Sequence, residues 1–169
     1  GPIRDVILAY AADAKVQEFM ARVAGDDAAP APRRLFMLDT IEKANLDPLP
    51  DGIVQSVGKS LQAGDEALRY RAATLIASRK IGAFDELLLG LAGNAGETPA
   101  LRISALGTVQ ARRPELTEVR YAFLLEQLAT NADPALRLSA GKVIGGAKLT
   151  NDQLRALADT YLPKADALT

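Results

Sequence analysis

Four arginines are the residues of this chain whose type and spacing could do chemistry. Arg34, Arg69, Arg102 and Arg137 follow one another at intervals of 35, 33 and 35 residues. A guanidinium is a planar fork of five N–H donors that stays charged at any working pH. It binds carboxylates, phosphates or clustered carbonyl oxygens, often through two bonds at once. A row of such groups can face an anionic ligand, or it can be a structural ladder in which each arginine reaches an acid of its own or the adjacent repeat and satisfies loop carbonyls. The carboxylates at hand are Asp65 and Asp133, with Asp27 and Glu97 near the other two copies. A cation in the first turn of a helix also meets the positive end of the helix dipole, so its recurrence calls for a local compensating partner. The structural ladder, Arg34, Arg69, Arg102 and Arg137 with Asp65 and Asp133, is therefore the preferred reading.

The arginines are positioned by a repeat. Arg69, Arg102 and Arg137 each follow a leucine (Leu68, Leu101, Leu136) and precede an alanine by three places (Ala72, Ala105, Ala140). Ile76, Val109 and Ile144 then come in register. A degenerate copy, "APAPRRLFMLDTI", puts Met37 in the alanine position and Ile41 last. Periods of this size mark stacked supersecondary units. Within a copy the apolar positions step as one helix face: Leu136, Ala140, Val143 and Ile144. Start signals agree. Asp133-Pro134 and Thr98-Pro99 pair an N-cap acceptor with proline at the first helical position, Asp65 caps without a proline, and Pro30 holds the cap position of the degenerate copy.

A second helix follows in each unit, in "GIVQSVGKSLQ", "FDELLLGLA", "TEVRYAFLLEQLA" and "NDQLRALADTYL". Thr150 and Gln153 form a capping box for the last. The second helices are expected to stop at Gly64, Gly93 and Asn131, and an earlier one at Gly25, residues that tolerate the left-handed C′ conformation. "IRDVILAYAADAKVQEFMARVAG" reads as one more pair, broken near Asp13. The expectation is an all-α fold: a right-handed α-solenoid of about five antiparallel helix pairs, with no strand.

Composition bounds the function. The chain has 169 residues, 49% of them hydrophobic and only 5% aromatic, which suits close helix packing. Its apolar runs fall far short of the ~20 residues of a membrane span. Twenty basic and 21 acidic residues are interspersed, giving a net charge of −1 and no broad positive field for nucleic acid. There is no histidine and no cysteine, so imidazole bases, zinc–histidine sites, haem-ligating histidine, thiolate sites and disulfides are excluded within these residues. No cofactor and no small-molecule substrate is expected. The opening Gly1-Pro2 reads as the scar of a cleaved expression tag, with residues 3–169 forming a single repeat domain from a longer protein.

A second basic row, Lys43, Arg79-Lys80, Arg112-Arg113 and Lys148, falls where the first helices end. Its cations are expected to bond the last carbonyls and complement the dipole. Asp47, Asp51, Asp85, Glu115 and Asp152 dilute its field, which weighs against a phosphate-tracking rim. Gly141, Gly145 and Gly146 are expected at a close helix crossing where the chain then exits. The eight aromatics, scattered rather than aligned for base stacking, are expected to fill the core.

The unit D-P-A-L-R-x-x-A-x-x-x-I, followed by an amphipathic second helix, resembles a HEAT-type α-solenoid repeat over residues 26 to 162. A narrower resemblance lies in "ANLDPLPDGIVQSVGKSLQAGDEALRYRAATLIASRKIGAFDELLLGLAGNAGETPALRISALGTVQARRPEL" and "LTNDQLRALADTYLPKADAL". These stretches are similar to the helical-repeat region of very large bacterial haem-binding proteins, in which a sugar-dehydrogenase-like β-propeller precedes the repeats and a c-type cytochrome domain follows. The haem ligands of that family are Cys and His, so none of them maps here. The resemblance implies a non-catalytic spacer or docking segment of a periplasmic or secreted electron-transfer protein. Its partners would be other domains of the same chain or another protein. A standalone peptide- or protein-binding solenoid and a nucleic-acid-binding HEAT-like protein are the alternatives.

Overall fold

The computed structural model describes the backbone of residues 1–130 and 133–165 and the side chains of residues 1–129 and 133–160. Among these the protein is all-α. In chain order the helices are α1 (Pro2–Ala9), α2 (Ala14–Ala24), α3 (Ala31–Lys43), α4 (Asp51–Leu61), α5 (Glu66–Ser78), α6 (Asp85–Gly93), α7 (Pro99–Val109), α8 (Glu118–Thr130), α9 (Pro134–Gly146) and α10 (Asn151–Ala165). A short 3-10 turn at Gly82–Phe84 leads into α6. The one β-type pairing among the described residues is an isolated bridge between Glu115 and Lys148.

Side-chain acceptors set the helix starts, as the sequence pattern predicts. Asp13 accepts from the Lys15 and Val16 amides, Asp65 from Leu68, Thr98 from Leu101 and Asp133 from Ala135. Each satisfies a donor that the first turn leaves without an intrahelical partner. Thr150 and Gln153 close a reciprocal capping box: the Thr150 amide donates to Gln153 Oε1 at 3.0 Å and the Gln153 amide to Thr150 Oγ1 at 3.2 Å.

The chain divides into two compact units, residues 1–87 and 88–169. In the first, α3 packs against both α1 and α5, while α4 packs against α2 and α5. Met37, Leu38 and Ile41 of α3, Ile53, Val57 and Leu61 of α4, and Leu68, Leu75 and Ile76 of α5 are buried there. In the second, α9 packs against α7 and α8 around Leu101, Leu106, Leu124, Val143 and Ile144. The buried positions repeat the register of the sequence: Ala72, Ala105 and Ala140 are fully buried, and so is Met37 in the degenerate copy. A small residue there lets two helices approach, and the longer unbranched methionine fills the same slot by adjusting its torsions.

The helix ends correct one expectation. None of the described glycines has a positive φ. Gly25 caps α2 at φ −95°, α4 ends at Gln62 with φ −103° rather than at Gly64, and Gly93 is still helical; Asn131 lies outside the described residues. These ends tighten instead, as where the Gln62 amide donates to Lys59 O at 3.1 Å and the Ala63 amide to Ser60 O at 3.3 Å. The left-handed position is taken by Lys80, at φ 53°. Around it the Ile81 amide donates to Ile76 O at 3.0 Å and the Lys80 amide to Ala77 O at 3.2 Å, the bond pattern of a Schellman motif.

Gly141, Gly145 and Gly146 lie on α9, and the chain leaves the helix directly after Gly146, at the extended Ala147, as expected. Gly146 does serve the close crossing. A Cβ there would lie 2.8 Å from the Gln110 amide nitrogen, and that amide donates to Val143 O.

A lysine in the left-handed region carries a steric cost of about 1 kcal/mol that glycine escapes. Lys80→Gly is therefore expected to stabilise the protein by roughly 0.5–1 kcal/mol, read as a higher urea midpoint at an unchanged m-value.

Candidate functional site: helix-end ties, an ion-pair cluster and an apolar helix face

The arginines of the repeat close helix ends. Arg34, almost wholly buried, donates from Nε to Ala24 O, the last carbonyl of α2, at 3.0 Å. Its Nη1 pairs with Asp27 at 3.0 Å and its Nη2 donates to Ser60 Oγ at 3.4 Å. The single Ser60 hydroxyl proton has both Ala24 O and Ser56 O within reach at 3.1 Å, so one buried cluster ties α2, α3 and α4 together. Arg69 donates to Ala63 O at 2.7 Å and Gly64 O at 2.9 Å, just past the end of α4. Arg102 donates to Ala92 O in the last turn of α6 at 2.9 Å, and its guanidinium lies 3.6 Å from the centre of the Phe123 ring. Each of these three arginines thus bonds the end of the preceding helix. Arg137 is exposed. Asp65 and Asp133 act as N-caps.

In the second basic row Arg79 departs from the expected pattern. Arg79 does not close its own helix. It reaches across to the C-terminal end of α3, donating to Leu46 O and Ile41 O at 3.1 Å, to Glu42 O at 2.7 Å and also to Ala44 O. Four carbonyls converge on one fork because the chain turns sharply after α3, and a cation at a helix C-terminus is electrostatically favoured. Arg112, by contrast, bonds Thr108 O of its own helix at 3.2 Å.

A charge cluster lies off the repeat register and went unnoticed in the sequence. Arg71 of α5 bonds Asp39 and Glu42 of α3, and Arg4 of α1 lies 3.7 Å from the same Asp39 and over the Phe36 ring. The chain of ion pairs runs from α1 through α3 to α5. Hydrogen bonding from Arg71 holds the Glu42 carboxyl below its ordinary value of 4.5, with partial burial opposing. Burial works against the charge of Arg71, and its bonds to Glu42 and Asp39 outweigh that, raising its pKa. The sequence signal was there in Asp39 and Glu42, three apart on one helix, with Arg71 one repeat later.

Two open grooves of about 530 and 320 Å³ in the first unit meet at Lys59. Arg22, Arg34 and Lys59 line them together with Asp26, Asp27 and Asp65, so their charges cancel. Among the described residues no cluster of three or more His, Cys, Asp or Glu is placed to hold a metal ion, and no helix is long and apolar enough to cross a membrane.

The aromatics correct a second expectation. Tyr121 and Phe123 are buried, the former donating to Gln153 O at 2.6 Å, but Tyr10 and Tyr70 are exposed, and the side chain of Tyr161 lies outside the described residues. Phe36 and Phe19 are partly covered and lie under the Arg4 and Arg22 guanidinium groups. Tyr10 lies just past the end of α1, whose Ile3 and Val6 are also exposed, and Pro2, Ile3, Val6, Ile7 and Phe19 line a shallow hollow of about 360 Å³. Comparison of the chain with family models, curated proteins and solved structures yields no match.

Burial sets the rank of the arginines. Arg34→Ala should cost about 2–3 kcal/mol, because it empties a buried space and removes the charged donor shared by Ala24 O, Asp27 and Ser60. Arg102→Ala should cost about 1–2 kcal/mol, and Arg137→Ala within about 0.5 kcal/mol. Chemical denaturation of the three variants checks the order.

Glu42 supplies a pH test. Its folded pKa is lowered, so the unfolded chain binds more protons between the two values, and stability rises with pH across that window. The contribution is complete above about pH 5 and fades as pH falls through the folded value. Glu42→Gln should thus lower stability by about 0.5–1 kcal/mol at pH 7 and by progressively less below about pH 4, measured by urea melts across pH.

Proposed function

We propose that this chain is a non-catalytic helical-repeat scaffold: a right-handed, HEAT-like α-solenoid of antiparallel helix pairs that spaces domains or presents a face to a protein partner. The observation that carries the reading is that first-type helices stack on one another at the repeat interval, α1 on α3 and α3 on α5 in one unit and α7 on α9 in the other. Such stacking is how repeat arrays bury an apolar face that no single repeat can bury alone. The arginine bonds support it, since they fix the angle between each second helix and the first helix that follows.

The resemblance to the repeat region of large bacterial haem-binding proteins favours a place between the domains of a longer periplasmic or secreted electron-transfer protein. In that setting the haem chemistry lies outside residues 1–169, whose sequence has neither Cys nor His. The exposed Ile3 and Val6 of α1 favour a second reading, a solenoid that binds a peptide or protein on its own, because grouped exposed apolar residues mark interaction sites. The cancelling charges of the grooves around Lys59 weigh against nucleic acid.

Small-angle scattering at low protein concentration tests the scaffold. A compact globule of this length has a radius of gyration of roughly 15 Å. The solenoid should exceed that by several Å, and a value at the compact figure defeats it. Fluorescence anisotropy with labelled duplex DNA at low salt should show no binding; a strongly salt-dependent affinity would instead favour the nucleic-acid alternative.

A further inference from the structure

We propose that the two polar grooves of the first unit form one furrow for an extended polypeptide segment that carries both acidic and basic side chains. The proposal rests on the reading of the chain as a scaffold that presents a face to a protein partner, and it names that face and the chemistry of the partner. The grooves, of about 530 and 320 Å³, share Lys59 and fall within the size range of sites that take a ligand. Gln62 lines the larger, Gln55 the smaller and Lys59 both. These three exposed residues are spaced i, i+4 and i+7, so they share one side of α4 and its end.

The lining suits a main chain. A carboxamide holds a donor and an acceptor side by side, as a peptide group does, so Gln55 and Gln62 can bond a backbone laid along α4. Gln62 keeps its oxygen for this, because the bond it makes, to Gly58 O at 3.3 Å, uses Nε2. The smaller groove is also lined by Ala21, Gly25, Gly52 and Ser56, residues short enough to let a backbone come close.

Charge selects the side chains. Arg22 and Lys59 stand on α2 and α4, whereas Asp26, Asp27 and Asp65 follow the ends of those helices. Arg34, the third cation of the lining, already bonds Asp27 and Ala24 O. Among the described residues neither Arg22 nor Lys59 is ion-paired, although acids line the same grooves. The fold therefore holds the two signs apart, cations along the helices and acids at the loops. A segment of one sign is repelled by part of this lining. A segment with both can set an acidic side chain at Arg22 and Lys59 and a basic one at Asp27 and Asp65. These contacts are open to water and salt, so the affinity should be low, with a Kd on the order of 1 mM at low ionic strength.

Amide chemical shifts of the isotope-labelled full chain, titrated at low salt with octapeptides blocked at both ends, test the proposal. One peptide alternates Glu and Lys and so offers both signs at many spacings; a second alternates Glu and Ser, and a third Lys and Ser. The Glu–Lys peptide should move the signals of Gln55, Lys59, Gln62 and Asp65 saturably, and each single-sign peptide should bind roughly fivefold more weakly or worse. Lys59→Glu, whose native fold is checked by its own amide spectrum, breaks no ion pair and should weaken the Glu–Lys peptide by roughly fivefold. No saturable shift up to several millimolar, a single-sign peptide that binds as well, shifts that gather at Ile3 and Val6 instead, or a Lys59→Glu variant that binds as the wild type does would each overturn the proposal. The scattering test reads the shape of the chain without peptide, so failure of the furrow and failure of the scaffold are told apart.

Discussion

The fold depends on how helix C-termini are closed. Every α-helix ends with carbonyl groups that have no intrahelical donor, and the ten short helices among the described residues meet this problem many times over. Glycine in the left-handed conformation is the usual answer, and none of the described glycines adopts it. Arginine answers instead. Arg34, Arg69 and Arg102 each donate to carbonyls at the end of the helix that precedes their own, and Arg79 gathers four carbonyls at the turn after α3. A glycine cap would satisfy the same oxygens within one helix. An arginine from the next helix satisfies them and, in the same bonds, fixes where that next helix starts.

This arrangement explains the first-turn placement of the repeat arginine. The helix dipole disfavours a cation there. The carbonyls it meets carry the negative end of the preceding helix, so the side chain is stabilised by the neighbour rather than by its own helix. In Arg34 the tie is deepest. Asp27, Ser60 and Ala24 O all converge on a group almost closed to water, where a charge-assisted bond is strong and an unmet partner costly. Outside this row, the Arg4–Asp39–Arg71–Glu42 chain links α1, α3 and α5 along partly exposed side chains, where such pairs contribute less.

The scaffold proposed above is consistent with where the polar residues lie. Its buried charges hold helix ends, its grooves around Lys59 carry equal numbers of acidic and basic side chains, and its uncovered apolar residues sit on helix faces of the kind that pack against another helix. Under the proposed scaffold role, those grooves and faces are where a partner is to be sought.

The sequence by itself determined the helices and their starts. The 3.6-residue stepping of Leu136, Ala140, Val143 and Ile144, and caps such as Asp65, Thr98 and Asp133, are local signals that act within a turn or two of the backbone, and the helices follow them. Tertiary structure decided where the long side chains go. An arginine reaches far enough from its Cα to choose among neighbours that only packing brings near, so Arg79 met Glu42 O at the end of α3, 37 residues away, and Arg71 met Asp39 and Glu42, 32 and 29 residues away. It also decided which glycines stay right-handed and which apolar residues remain open. Tyr70, Ile103 and Leu138 hold one place in the repeat, yet Ile103 is buried and the other two are exposed.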